Sequence, residues 1–340
     1  MSSIDEKIST FFESKKVLIS GASGYIGSNL LNRLSEVNCE ITCLTSNPNL
    51  KEFLVKEYKN RKANISVSCG AYRDRSLWEK NIKNTDVIFH LASQTSFYKA
   101  ESNPAEDYMD NVLPLQLLLD LVSKEEKKPF IVFAGTSTQC GIKDSQPVGE
   151  DEKDNPSTIY DLHKLIAENY LKYYCIKEEA EGCCLRLCNV YGPGPKSSND
   201  DRGILNLMIK RGLKEEVLSI YGSGNYIRDY IFIDDVVNAF LLCPQNKKKT
   251  NGKHFILGSG KGFSVQEAIS KVAEIINKKT DLKVCTEHVA SPEGLLDIEF
   301  RNFVADNANL KKAIGWSADI DLKKGIEITV ENFIETKSDE

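Results

Sequence analysis

The chain has 340 residues, 41% hydrophobic and 27% charged, which is ample material for a core in one large domain or two modest ones. Its net charge of -5 excludes a protein whose whole surface embraces nucleic acid, yet leaves room for a small anion held by a local Arg or Lys. No uncharged apolar run approaches the roughly 20 residues of a membrane span, and Met1 to Lys16 lacks the apolar core of a signal peptide, so the expected location is cytoplasmic.

Apolar runs predict strands at Lys16–Ser20, Glu40–Leu44, Ile65–Ser68, Asp86–His90, Phe130–Ala134 and Cys183–Leu187. Between them, helical patterns cover Tyr25–Val37, Asn49–Asn60, Ser76–Ile82, Glu106–Lys124 and Tyr160–Ile176. Strand and crossover helix in alternation mean an α/β fold, a doubly wound parallel sheet of the Rossmann kind that binds ligands beyond the carboxyl ends of its strands. After residue 190 the rhythm changes. A turn cluster, Tyr191-Gly192-Pro193-Gly194-Pro195, leads into a polar loop over 196–203, a helix at Ile204–Leu213 and a further turn at Tyr221-Gly222-Ser223-Gly224. The expected division is a dinucleotide-binding domain over 1–190 and a substrate-binding lobe over 191–340, with some late segments returning to the first domain. The tail from Glu335 to Glu340 is polar and is expected to fray. The ten cysteines contain no Cys-x-x-Cys, and only His90, His163, His254 and His288 accompany them, so they read as reduced, buried thiols and no metal site is predicted.

Glycines at 21, 24 and 27 follow the first strand and open the first helix. In that setting G-x-x-G-x-x-G is a spacing variant of the dinucleotide fingerprint: a tight turn, a close approach of backbone to pyrophosphate, and close helix–strand packing. Gly21, Ser23, Gly24, Tyr25, Ile26 and Gly27 are therefore the expected phosphate-side residues, with helix N–H groups offered to the anion. The second strand ends Cys43-Leu44-Thr45-Ser46-Asn47, with neither carboxylate nor arginine; Thr45 and its neighbours suit a ribose hydroxyl or a 2′-phosphate, so the cofactor is NAD or NADP, undecided.

Tyr160-x-x-x-Lys164 places a phenol and an ammonium on one helix face. A neighbouring cation favours phenolate, which can take a proton from a sugar hydroxyl while the carbon below gives up hydride. Tyr58–Lys62 and Tyr173–Lys177 share the spacing, but only Tyr160 lies 24 residues after a small hydroxyl, Thr136, at the mouth of a central strand. Thr136, Tyr160 and Lys164 are the predicted catalytic group.

With these residues in place the chain resembles the extended short-chain dehydrogenases, specifically the NAD-dependent epimerase/dehydratase family that modifies nucleotide sugars. Phe89-His90-Leu91-Ala92-Ser93 resembles the family's fourth-strand signature beside the cofactor, Asn111-Val112 its following helix, and Leu187-Cys188-Asn189-Val190-Tyr191-Gly192-Pro193 its strand-to-loop motif. Gly222-Ser223-Gly224-Asn225-Tyr226-Ile227-Arg228-Asp229-Tyr230-Ile231-Phe232-Ile233-Asp234-Asp235-Val236 resembles a late signature whose Arg binds diphosphate. The resemblance implies cofactor contacts at Leu91, Ala92, Ser93 and Asn111, and substrate contacts at Thr95, Asn189 and Arg228. It further implies a homodimer through a four-helix interface of Glu106–Lys124 and Tyr160–Ile176. The two aspartates of Ile231–Val236 read as a helix cap.

Departures from the family pattern narrow the chemistry. The Asp-Glu that dehydratases carry after the catalytic hydroxyl is here Ser137-Thr138, so dehydration is not expected. Gln139-Cys140-Gly141 stands where many relatives read Val-Tyr-Gly, and the carboxylate used near adenine is replaced by Ala71 or displaced to Asp74. The leading expectation is a nucleotide-sugar 4-epimerase. The alternative is a 4-keto reductase consuming NADPH, and a non-catalytic dinucleotide-binding sensor is the third class. Sugar contacts are expected from Lys196–Arg202 and Glu293–Arg301.

Overall fold

The computed structural model describes residues 3–194 and 203–338. The strands are β1 (Lys16–Ser20), β2 (Glu40–Thr45), β3 (Asn64–Cys69), β4 (Val87–His90), β5 (Phe130–Thr136), β6 (Glu181–Leu187), β7 (Asn189–Tyr191), β8 (Leu218–Tyr221), β9 (Ile227–Phe232), β10 (His254–Leu257), β11 (Gly262–Ser264) and β12 (Thr286–Val289). The first ten helices are α1 (Ser3–Phe12), α2 (Tyr25–Ser35), α3 (Leu50–Glu57), α4 (Arg75–Asn81), α5 (Phe97–Ser102), α6 (Pro104–Asn111), α7 (Leu113–Val122), α8 (Ile159–Ile176), α9 (Ile204–Gly212) and α10 (Ile233–Gln245).

Seven strands form one sheet in the order β10-β6-β5-β4-β1-β2-β3, every neighbouring pair parallel. The apolar runs explain it: β1, β4 and β5 are buried almost end to end, as strands covered by helices on both faces must be. Successive strands step outward from β1 through β2 to β3 on one side, and from β4 through β5 to β6 on the other. The switch point between β1 and β4 is the crevice where such sheets take a ligand.

Beyond β6 the chain builds a second lobe from a three-stranded sheet, β11-β9-β7, and a two-stranded one, β12-β8. Between β9 and β11 it returns to the large sheet: β10 pairs along β6, His254 opposite Cys184 through Leu257 opposite Leu187.

Several expectations shift. The helix expected over Glu106–Lys124 is two helices, because Pro114 cannot donate its backbone N–H and the chain breaks at Val112. The polar N-terminus holds an unpredicted helix, α1, which buries Ile8 and Phe12 in the main core. The presumed cap at α10 is different too: Asp235 accepts the backbone N–H groups of Asp319 and Ile320, at 3.2 and 3.1 Å, and so ties down a distant segment. The final helix, Leu322–Ser338, runs on through most of the stretch expected as a fraying tail, while residues 339–340 lie outside the described residues. The loop expected over 196–203 and the sugar-contact segment Lys196–Arg202 also fall outside them, apart from Gly203. All ten cysteines are free thiols, eight of them buried. Among the described residues, no helix is long and apolar enough to cross a membrane.

Candidate active site

A cavity of about 520 Å³ opens at the switch point and extends beneath the second lobe. One end is the turn between β1 and α2. Gly21 adopts φ 72°, and a Cβ on Gly27 would lie 2.1 Å from the Gly21 carbonyl oxygen, so only glycine allows this close passage of turn against helix. The first turn of α2 faces the space with Gly24, Tyr25 and Ile26 in the wall. This cradle fits a dinucleotide: glycine backbone at the turn and helix N–H groups beyond it. Thr45, Ser46 and Asn47 line the ribose side, and Leu91, Ala92, Ser93 and Thr95 continue the wall past β4.

Thr136 and Tyr160 face the same space. Thr136 ends β5, the strand flanked by β4 and β6, and caps a short 3-10 turn over Ser137–Cys140. Tyr160 sits in the first turn of α8, 5% exposed, its ring edge-on to Phe97 with centroids 5.5 Å apart. Lys164, one turn later, is 2% exposed and places its Nζ 4.5 Å from the centre of the Phe133 ring. It stands behind the wall rather than in it. Burial pushes its pKa down to about 8, against smaller pulls upward from Cys184 and Asp107. The rival pairs lie elsewhere: Tyr58 ends α3, and Lys177 rests over the exposed Tyr173 ring on the far half of α8.

Behind Thr136, α8 is bound to the sheet by buried charge. Arg186 on β6 donates from Nε and Nη2 to the Glu168 carboxylate, each at 2.8 Å, and from Nη1 and Nη2 to Asp154 at 2.5 and 2.9 Å. Gln139 joins the two halves of the site. Its Oε1 accepts the Thr136 backbone N–H at 2.8 Å, and its amide donates to Glu168 at 2.8 Å. Glutamine at the unusual position thus braces the turn after β5 against α8.

Two predicted contacts stand one layer back. Asn111 is buried behind the wall, accepting from the Ser93 hydroxyl at 2.5 Å and donating to Asp107 at 2.8 Å. Arg228 is absent from the described cavity wall. Its Nη1 donates to the carbonyls of Ile227, at 3.1 Å, and Arg301, and its Nη2 to that of Glu299, at 2.6 Å, so it braces the 299–301 segment. Asn189 does line the cavity.

Tyr72 was missed. It lines the cavity just past β3, donating to the Leu44 carbonyl at 2.8 Å and accepting the Gly21 N–H at 3.0 Å. It stands next to Ala71, where the carboxylate of relatives is replaced, and its only sequence clue is a phenol one residue beyond that position. Two basic residues, Lys210 on α9 and Arg301, belong to the described wall, and no Asp or Glu does. Such a wall suits a polyanion.

A glycine turn at the first switch-point strand, with a threonine two strands away on β5 and a tyrosine and lysine on α8, defines a nicotinamide-dependent enzyme of the short-chain dehydrogenase class. More narrowly, the model of the NAD dependent epimerase/dehydratase family matches residues 17–258, and the chain belongs to that family. It is 28% identical over 321 residues to a putative UDP-glucose 4-epimerase of Methanocaldococcus jannaschii, covering 92% of this chain and 97% of the relative. A dTDP-4-dehydro-6-deoxyglucose reductase of Escherichia coli is 24% identical, with 93% of this chain and 97% of that one covered. Among solved structures, UDP-glucose 4-epimerase of Thermotoga maritima with UDP-glucose matches with a TM-score of 0.81 and 27% identity, over 95% of this chain and 99% of that one.

Proposed function

We propose that this chain is a nucleotide-sugar 4-epimerase acting on a UDP-hexose. Residues 1–190 hold NAD or NADP, and residues 191–340 close over the sugar nucleotide. The observation that carries the reading is the shared wall: the dinucleotide cradle, Thr136 and Tyr160 face one cavity that presents two basic and no acidic side chains among the described residues. The UDP-glucose epimerases among the relatives support the choice of sugar nucleotide.

Bound nicotinamide supplies the acceptor and donor of hydride. Tyr160 takes the proton of the C4 hydroxyl, Thr136 holds the same oxygen, and the Lys164 charge behind them favours the phenolate. Asn189 and Thr95 meet the substrate, and Arg228 serves its diphosphate by bracing the segment that carries Arg301 into the wall. Dehydration has no acid to drive it, since Ser137 and Thr138 follow Thr136.

Incubation with UDP-glucose or UDP-galactose, followed by NMR of the sugar anomers, tests the proposal; interconversion without net cofactor consumption is the expected result. Tyr160→Phe should lower turnover by about 10²–10⁴-fold with an unchanged circular dichroism spectrum. Turnover near that of the unaltered chain would refute the role of Tyr160.

The reductase reading has one observation in its favour: Thr45, Ser46 and Asn47 leave the ribose end without a carboxylate to repel a 2′-phosphate. Stoichiometric NADPH oxidation with a 4-keto sugar nucleotide would establish it. A cofactor-binding sensor predicts neither reaction.

The outward face of α8 carries Leu162, Tyr173 and Ile176, exposed by 40%, 55% and 77%, beside the partly buried Ile166. We assign this stripe to a second copy of the chain, in a four-helix homodimer with α6 and α7, and the ten free thiols fit a reducing cytoplasm.

A further inference from the structure

We infer that the Tyr25 phenol couples the two halves of the cavity. By its hydrogen bond to the Gly192 carbonyl it ties the dinucleotide turn to Asn206 on α9, so that filling either half strengthens the hold on what fills the other. Tyr25 is thereby a positioning residue as well as a piece of the wall. The identity of the two ligands rests on the epimerase reading; the tie itself does not.

The tie is built on one carbonyl oxygen. Tyr25 stands in the first turn of α2 and lines the cavity from the cofactor side, and Asn206 stands in the first turn of α9 and lines it from the second lobe. The Tyr25 hydroxyl reaches the Gly192 oxygen at 2.9 Å, and Asn206 Nδ2 reaches the same atom at 2.9 Å. A carbonyl oxygen only accepts, so each wall supplies one donor to it. Asn206 Oδ1 also accepts the Gly192 backbone N–H at 3.1 Å, which makes the α9 side of the junction two-pronged. Burial pushes the Tyr25 phenol well up from its ordinary value, so it stays protonated and keeps donating through neutral and mildly alkaline pH.

Gly192 has little room to give. A Cβ on it would lie 2.6 Å from Ile233 Cγ2 and 3.0 Å from the Phe232 ring, so the residue is pressed against the β9–α10 junction as well as bonded to both walls. Beside it, Asn29 Nδ2 donates to the carbonyls of Tyr25, at 2.9 Å, and Pro193, at 3.3 Å. Residues 192–193 are thus fastened to the helix whose N-terminal turn forms the dinucleotide cradle. A ligand that orders this turn holds Tyr25 in place, Tyr25 holds Gly192, and Gly192 holds Asn206 for whatever rests against α9. Linkage makes the converse equally strong: a sugar nucleotide against α9 tightens the dinucleotide by the same factor. In an epimerase this keeps the cofactor in place for as long as the sugar is bound, which the return of hydride requires.

Isothermal titration calorimetry of NAD, with and without saturating UDP, measures the coupling without turnover. The unaltered chain should bind NAD at least roughly five-fold more tightly when UDP is present. Tyr25→Phe, which keeps the ring and removes the donor, should bring that ratio close to unity, and Asn206→Ala, altered on the opposite wall, should do the same. A ratio of unity in the unaltered chain, or a ratio that survives either substitution, overturns the inference. In the ligand-free protein, Tyr25→Phe should also speed hydrogen exchange of the Gly192 amide by roughly five-fold, and an unchanged rate overturns the tie. A hydroxyl that merely supports the fold would lower stability in urea and leave the ratio alone. An unaltered chain that binds no UDP contradicts the proposed function instead, and the exchange rate still decides the tie.

Discussion

Lys164 gives the site an alkaline limit that an ordinary lysine would not. Its pKa falls from 10.5 to about 8 because burial beside Phe133 costs the ammonium its hydration. Below that value the charge is present and favours the Tyr160 phenolate; above it the charge is gone. Turnover should therefore decline as pH rises through about 8, which a kcat–pH profile would record. Stability should move the other way. A lysine with a depressed folded pKa contributes fully above its unfolded value of 10.5 and loses that contribution as pH falls toward 8. Denaturant unfolding at several pH values would show the rise beside the falling activity. At this scale Gly21, Thr136 and Tyr160 were legible, because each belongs to a short motif whose spacing fixes its geometry. Tyr72 and Arg301 were not, because each reaches the cavity through tertiary packing that no local spacing encodes.

Among the elements, α8 carries the greatest burden. Burial alone would raise the Glu168 carboxyl, but the doubly bonded Arg186 guanidinium overrides it and holds the acid well below the usual carboxylate range. The pair stabilises the fold above the ordinary carboxylate pKa, and that contribution is lost on strong acidification. Glu168→Ala would leave Arg186 without its main partner in a dry interior. It should cost about 3–5 kcal/mol, measured by urea unfolding, and should loosen the Thr136 turn through Gln139. Loss of under about 1 kcal/mol would mean that Asp154 alone satisfies Arg186. The sequence showed α8 itself, since its apolar spacing is local. It did not show the Glu168–Arg186–Gln139 brace, because those residues meet only after a crossover. The break at Val112 was readable from Pro114 and was passed over in favour of the continuous leucine pattern.

Seen whole, the molecule leaves an apolar stripe on the outward face of α8 uncovered, among the described residues. If α8 pairs with a second copy, Leu162→Glu together with Tyr173→Glu should shift sedimentation from dimer to monomer and leave the fold intact. A monomer in the unaltered chain would dismiss the interface. The doubly wound sheet was legible because six strands read as strand-like runs in βα alternation, apolar and largely buried in all but the edge strand β3. The seventh, β10, has the same apolar character but lies far along the chain among short mixed elements, where nothing local says which sheet it will join.

β10 seals an edge of the large sheet. β10 covers the edge of β6, so a fragment ending at residue 190 would present an open row of backbone donors and acceptors, a template for sticking to other chains. The chain touches the large sheet at β10 partway through building the second lobe, with β7, β8 and β9 before that strand and β11 and β12 after it.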